Sequence, residues 1–241
     1  PLADALTVRR GLGRGKREAK VSRAHREKLT VLGRERALIY QTLVTTGLRK
    51  NELASITLAQ ADLDGPRPCV RLAPKDEKNR RGADVPLRAD LAAQLRGWLQ
   101  ERLQRAQETA RANGEPVPLA LDRGERLLNG PAGLIRIFDR DLVYAGLATL
   151  ETRDGRQVVC KRDDRGRTID VHALRGTFCT NLCRAGVPLR TAQAAMRHSD
   201  PSLTARHYVD PRLLDIAGAV EALPSIMLPG RAQSGSTAPA A

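Results

Sequence analysis

The hydrophobic period of this chain changes twice between Leu32 and Ala112, and that change limits the folds open to it. Between Leu32 and Leu48 the apolar residues Ala37, Leu38, Tyr40, Leu43, Val44 and Leu48 recur at the spacing of a helix that buries one face. Gly47 ends or bends that helix, and a short second one is expected from near Lys50, carrying Glu52 and Leu53. Then Ile56–Leu58, Cys69–Leu72 and Ala83–Leu87 read as three short strands, separated by Asp64-Gly65-Pro66 and the charged stretch Lys75–Gly82. Helical spacing returns over Ala89–Ala112, at Leu91, Leu95, Trp98, Leu99 and Leu103. This order predicts a mainly α fold with a small three-stranded antiparallel β-sheet, and it places Lys78 on a hairpin tip.

Farther along, residues 113–131 are rich in loop formers and Pro131–Leu147 is helical in pattern. The Asp-, Arg- and Gly-dense stretch Glu151–Arg167 holds one strand candidate, Val158-Val159-Cys160. Helices are expected from His172 to about Ala185, over Arg190–Met196, and after Asp200-Pro201, the last bringing up Tyr208. A final amphipathic helix covers Leu213–Leu223. Residues 1–29 read as a flexible basic linker with helical character near Lys20–Leu29, residues 30–223 as the folded domain, and residues 224–241 as a disordered tail. Pro1 rather than Met opens the chain, as expected of a piece of a longer protein.

Only 2% of the residues are aromatic, so the core must be built from Leu, Ala, Val and Ile. The same scarcity argues against base stacking on aromatic platforms and favours contact with duplex over single-stranded nucleic acid. A nucleic-acid partner itself follows from charge. The chain carries 41 Lys and Arg against 27 Asp and Glu, a net charge of +14 and a pI near 10.6. Such an excess implies phosphate neutralisation. It is concentrated early, with 11 basic against 4 acidic residues in positions 1–40. No apolar run approaches the roughly 20 residues that span a bilayer, and no secretory signal opens the chain. The four cysteines show no metal-ligand spacing and are expected to be reduced and structural, with a cytoplasmic address.

Six polar residues could surround one phosphate: Arg49, Lys78, His172, Arg175, His198 and Tyr208. Arginine offers a planar fork that cannot be deprotonated and can clamp two non-bridging oxygens. Glu52, three residues beyond Arg49, would hold that arginine or the backbone around it. His172 and Arg175 stand at a helix start, where the dipole favours an anion. Tyr40 and Tyr144 sit inside apolar helical patterns and are read as core, which leaves Tyr208 as the nucleophile candidate. A phenol with a pKa near 10 needs cations and a proton acceptor to attack. No acidic metal cage accompanies the set, which suits attack on a DNA phosphodiester without a metal ion.

Thr-Gly-Leu-Arg-Lys-Asn-Glu-Leu around Arg49, Lys78 seven residues before Val85-Pro86-Leu87, His172-Ala-Leu-Arg175, His198-Ser-Asp and Tyr208 together resemble the tyrosine recombinases. The resemblance is to the catalytic domain of this phage integrase family and covers about residues 30–223. Two positions depart from the pattern: Arg197 stands where glycine is common, and Gly176 where a second histidine is often seen. Lys75 competes with Lys78 for the hairpin-lysine role, and the spacing to Val85 favours Lys78.

The resemblance implies a DNA breaking–rejoining enzyme fold and a site-specific recombinase that needs neither metal nor cofactor. Tyr208 would form a 3′-phosphotyrosyl bond, Arg49 and Arg175 would stabilise the pentavalent transition state, and His198 would hydrogen-bond a phosphate oxygen. Lys78 would protonate the leaving 5′ oxygen, with His172 as acid and base on the tyrosine side. It further implies double-stranded DNA as partner, a tetramer on that DNA, and a last helix that packs on a neighbouring protomer or caps its own. A type IB topoisomerase-like enzyme and a catalytically silent DNA-binding module are the competing readings.

Overall fold

The computed structural model describes residues 22–77, 80–164, 166–198 and 216–223. Helix α1 (Arg23–Thr46) starts at Ser22, whose hydroxyl accepts from the His25 backbone N–H at 3.3 Å. It therefore begins ahead of Leu32, inside the segment read as linker. It ends at Gly47, whose φ of 63° is the left-handed conformation that closes helices. Leu38, Ile39 and Leu43 form its buried face, each side chain contributing about 1.5–3 kcal/mol by leaving water.

After the short α2 (Lys50–Ser55) the chain does not enter a strand at Ile56–Leu58 as its composition suggested. Ile56 caps α2, and Leu58–Gln60 is a single 3-10 turn. The reason is local and polar: the Gln60 side-chain oxygen accepts from the Thr57 N–H at 2.9 Å and hydroxyl at 3.1 Å, closing the turn. Strand β1 (Ala61–Asp62) follows instead, and pairs antiparallel with β2 (Cys69–Leu72), which pairs antiparallel with β3 (Ala83–Pro86). Val70 faces both Ala61 and Val85 in register. Val70, Leu72 and Val85 are buried while Arg71 and Asp84 lie on the opposite side, the alternation expected of a sheet with one covered face. Of the connection between β2 and β3, which begins with a 3-10 turn at Pro74–Asp76, only Lys78 and Asn79 lie outside the described residues, so the expected hairpin-tip place of Lys78 does too.

Helix α3 (Ala89–Asn113) covers the core with Leu91, Leu95 and Trp98. Helix α4 (Leu134–Tyr144) starts later and ends earlier than its apolar pattern, bounded by Gly133 at φ 78° and by Ala145-Gly146. It is fastened to α1 by Asp141, which accepts from Arg36 at 2.6 Å and from the Tyr40 hydroxyl at 2.8 Å. Tyr40 meets Phe138 edge-on at 5.2 Å and is half-buried. Tyr144 is 49% exposed, which corrects its reading as core. It lies two residues past the buried Leu142, about 200° around the helix.

A second sheet stands where only one strand was expected. Strands β4 (Thr149–Arg153) and β5 (Arg156–Cys160) form an antiparallel hairpin closed by Asp154 and Gly155, both at positive φ. Two central residues at positive φ match the twist of the strands they join. Helices α5 (Ala173–Arg184), α6 (Leu189–Met196) and α7 (Ile216–Glu221) complete the described elements, and α5 packs on α1. All four cysteines are free. Among the described residues no helix is long and apolar enough to cross a membrane.

Candidate active site

Arg49 is placed by the abrupt stop of α1. Gly47 turns the chain, Leu48 plugs the core at 1% exposure, and Arg49 becomes the N-cap of α2. Glu52 then reaches back from the first turn, accepting from the Arg49 backbone N–H at 2.8 Å and from its guanidinium at 2.6 Å. The Glu52 carboxylate is buried. Burial works to raise its pKa, but the backbone and side chain of Arg49 and the charge of Arg197 outweigh it, and the value falls below the ordinary one.

Arg175, on the first turn of α5, is 1% exposed. Its guanidinium donates to the carbonyls of Gly47 and Met196. Those carbonyls belong to the turns that carry Arg49 and His198, so one buried fork ties α5 to the ends of α1 and α6. Gly47 is required there for space as well as conformation, because a Cβ would fall 2.4 Å from the Phe178 ring.

His198 follows Arg197 directly after α6, held by its N–H to the Gln193 carbonyl at 3.2 Å and by Gln193 Nε2 to its own carbonyl at 3.1 Å. Burial and the nearby charges of Arg175, Arg49, Arg197 and His172 push its imidazole down to about 4. The ring is therefore neutral near pH 7, able to donate one hydrogen bond without adding charge. Geometry brings the four predicted site residues together: Arg175 bonds the turns that carry Arg49 and His198, and Arg49 and His172 line one cleft.

His172 is exposed at the N-cap of α5 and opens on a cleft of about 790 Å³ shared with Arg49, Glu52, Lys75, Glu77 and Lys161. Asp170 accepts from the Ala173 N–H at 2.8 Å and so occupies one donor of the helix start. Lys75, the competing lysine, lines this cleft, whereas Lys78 and Tyr208 lie outside the described residues. Among the described residues no three His, Cys, Asp or Glu side chains are grouped to hold a metal ion.

Two residues that the sequence did not assign to the site belong to this cluster. Arg197 bonds Glu52 at 2.8 Å, and Glu77 is buried 3.8 Å from Arg197. The departure from glycine at position 197 was visible in the sequence, but nothing there paired it with Glu52. Glu77 gave no signal within a charged run. The assembled cluster of guanidiniums around a neutral imidazole can bind a phosphate diester and stabilise charge that develops on its oxygens.

Residues 139–213 match the phage integrase family. The tyrosine recombinase XerC of Pelotomaculum thermopropionicum is 32% identical over 166 residues, covering 68% of this chain and 46% of that protein. XerC of Myxococcus xanthus is 29% identical over 179 residues, 74% of this chain and 51% of the relative. The chain thus spans about half the length of the curated relatives it matches. Its fold resembles that of the XerH site-specific recombinase in a post-cleavage complex with palindromic difH substrate, at a TM-score of 0.52 and 19% identity over 91% of this chain and 51% of that one. Motif order, sequence relatives and fold converge, and the chain belongs to the phage integrase family of tyrosine recombinases.

Proposed function

We propose that this chain is the catalytic part of a site-specific recombinase that cleaves and rejoins duplex DNA through a 3′-phosphotyrosyl link to Tyr208. The observation that carries this reading is a cleft lined by Arg49 and His172, backed by the buried Arg175, whose bonds to the carbonyls of Gly47 and Met196 join the turns that carry Arg49 and His198. The Tyr208 oxygen attacks phosphorus, the bond from phosphorus to the 5′ oxygen breaks, and that oxygen takes a proton from Lys78. His172 receives the phenol proton and returns it when a 5′ hydroxyl reverses the reaction. Arg49 and Arg175 stabilise the charge that builds on the non-bridging oxygens, and His198 donates to one of them. The phosphotyrosyl ester conserves the energy of the broken bond, so rejoining needs no nucleotide.

Residues 30–223 form the catalytic domain in this reading, with residues 1–29 as a basic lead-in whose end, from Arg23, is already the start of α1, and residues 224–241 as a tail. The working assembly is a tetramer on DNA in the cytoplasm, associated with the nucleoid. The exposed Ile216 and Val220 of α7 support a helix that docks on a neighbour.

Supercoiled plasmid incubated with the chain in EDTA, beside Tyr208→Phe, tests the chemistry. A denaturation-resistant protein–DNA adduct that vanishes in the variant is the expected result. Salt-sensitive binding with no adduct from either protein would instead mark a DNA-binding module.

A further inference from the structure

Arg197 has a backbone conformation that suits another residue. Its φ of 53° and ψ of 38° are left-handed, and this position just after α6 is one where glycine is favoured. A side chain with a Cβ is strained there by roughly 1–2 kcal/mol, so something must hold it. Its side chain is only 9% exposed. The guanidinium meets Glu52 Oε2 at 2.8 Å, Glu77 Oε1 at 3.8 Å and the Gly47 carbonyl at 3.5 Å.

Glu52 consequently carries two guanidiniums, Arg49 on Oε1 and Arg197 on Oε2, where the Arg49 backbone N–H also donates at 2.8 Å. The two differ in access: the Arg49 side chain is 27% exposed toward the cleft, and Arg197 is not. Glu52 and Glu77 are both buried carboxylates. Without Arg197, the charges of Arg49 and Arg175 would be matched one for one by those two anions. With it, these five side chains keep one positive charge in excess for a phosphate, on the cleft that Lys75 also lines.

We propose that Arg197 is a positioning residue for Arg49: it occupies Glu52 Oε2 and offsets the buried carboxylates, so that Arg49 is held on Oε1 with its charge available to a phosphate diester. This rests on the proposed strand-cleavage reading for its consequence, though not for its geometry. It also gives a reason for arginine at a glycine-type position, since the ion pairs offset the backbone strain.

Two measurements on this chain separate the inference from the function. The first is the 15N-detected guanidinium resonance of Arg49 in the free protein. It should be narrow and exchange-protected in the parent, broadened in Arg197→Gly, and restored by Arg197→Lys; an unchanged Arg49 signal in Arg197→Gly overturns the proposal whether or not the chain cleaves DNA. The second is adduct formation on a nicked duplex at saturating protein. Arg197→Gly should slow the single-turnover rate about tenfold to a hundredfold, the range that misplacement of a reacting group produces. Its DNA dissociation constant should move less than about twofold, as a group acting through another would give. Combining it with Glu52→Gln should cost little more than the worse single change, because both act through one carboxylate. A parental cleavage rate in Arg197→Gly, additive losses, or a loss confined to DNA affinity would each overturn it. Failure of the parent itself to form an adduct would count against the function, leaving the resonance of Arg49 to decide the inference.

Discussion

Arg36 meets Asp141 at 2.6 Å between α1 and α4, and Arg49 meets Glu52 at the same distance beside the cleft. Around Asp141 the account closes: both side chains are about 5% exposed, and the carboxylate is filled by Arg36 and the Tyr40 hydroxyl. Burial and the Asp141 charge push the Tyr40 phenol up, so it stays protonated and cannot serve as a nucleophile. Around Glu52 the charges do not cancel, because two guanidiniums share one carboxylate and Arg175 stands near. A neutral buried pair fastens helices. A cation-rich one with an open side is suited to an anionic ligand.

Arg36→Ala should break that contrast most severely. It leaves Asp141 buried without its cation, a change that costs about 3–5 kcal/mol, readable as a shifted urea midpoint at unchanged slope. Arg49→Ala should do the reverse. Glu52 keeps Arg197, so the midpoint should move much less, while adduct formation should fall about 10²–10³-fold, as when one donor to a developing oxyanion is removed. Equal losses of stability in the two variants would show that the pairs are alike and that the distinction drawn from exposure is wrong.

Gly47→Ala probes the joint on which the cleft network alone depends. The new methyl group must adopt a φ of 63° and displace Phe178, and the Gly47 carbonyl must still receive Arg175. About 1–3 kcal/mol of destabilisation is expected, together with slower cleavage. Crystallographic or NMR evidence that Arg175 keeps its place in a fully stable variant would sink this account of the turn.

The helices were legible because apolar spacing carried them, as at Leu91, Leu95 and Trp98 of α3. The first strand was misplaced because Ile56 is buried at the end of a helix, and burial alone gives no period. Strand β4 was missed although Asp154-Gly155 is a favoured two-residue hairpin turn, because the mostly exposed flanks Thr149–Arg153 and Arg156–Cys160 lack the alternating hydrophobics that would announce it. Tyr144 misled because an apolar neighbourhood in sequence does not say which side of α4 faces inward. In the site, Arg49, His172, Arg175 and His198 were legible from their motifs, and Glu52 from its spacing to Arg49. The link from Arg197 to Glu52 was not, since it joins positions 145 residues apart and depends on a left-handed turn.

The smallest effect expected is also the one that isolates the cleft from the closed pair. His198 has a folded value of about 4, below its ordinary 6.5, because burial and the surrounding cations disfavour its charged form. As pH falls below 6.5 the unfolded chain binds this proton first, so the stability His198 contributes is complete above that value and is lost progressively down to about 4. Glu52, whose value is depressed from 4.5, keeps its contribution above 4.5 and loses it only at lower pH. The interval from 6.5 to 4.5 therefore reports His198 before Glu52 enters. Its slope cannot exceed about 1.4 kcal/mol per pH unit, the limit for one proton, and solvent around the partly exposed ring shortens the interval by weakening the shift. His198→Gln should flatten chemical-denaturation stability across this interval, while Arg36→Ala should lower the curve most at high pH, with the loss shrinking as pH falls and the unpaired buried Asp141 takes up a proton. The same slope in His198→Gln would mean that its imidazole is not held neutral by the cations of the cleft.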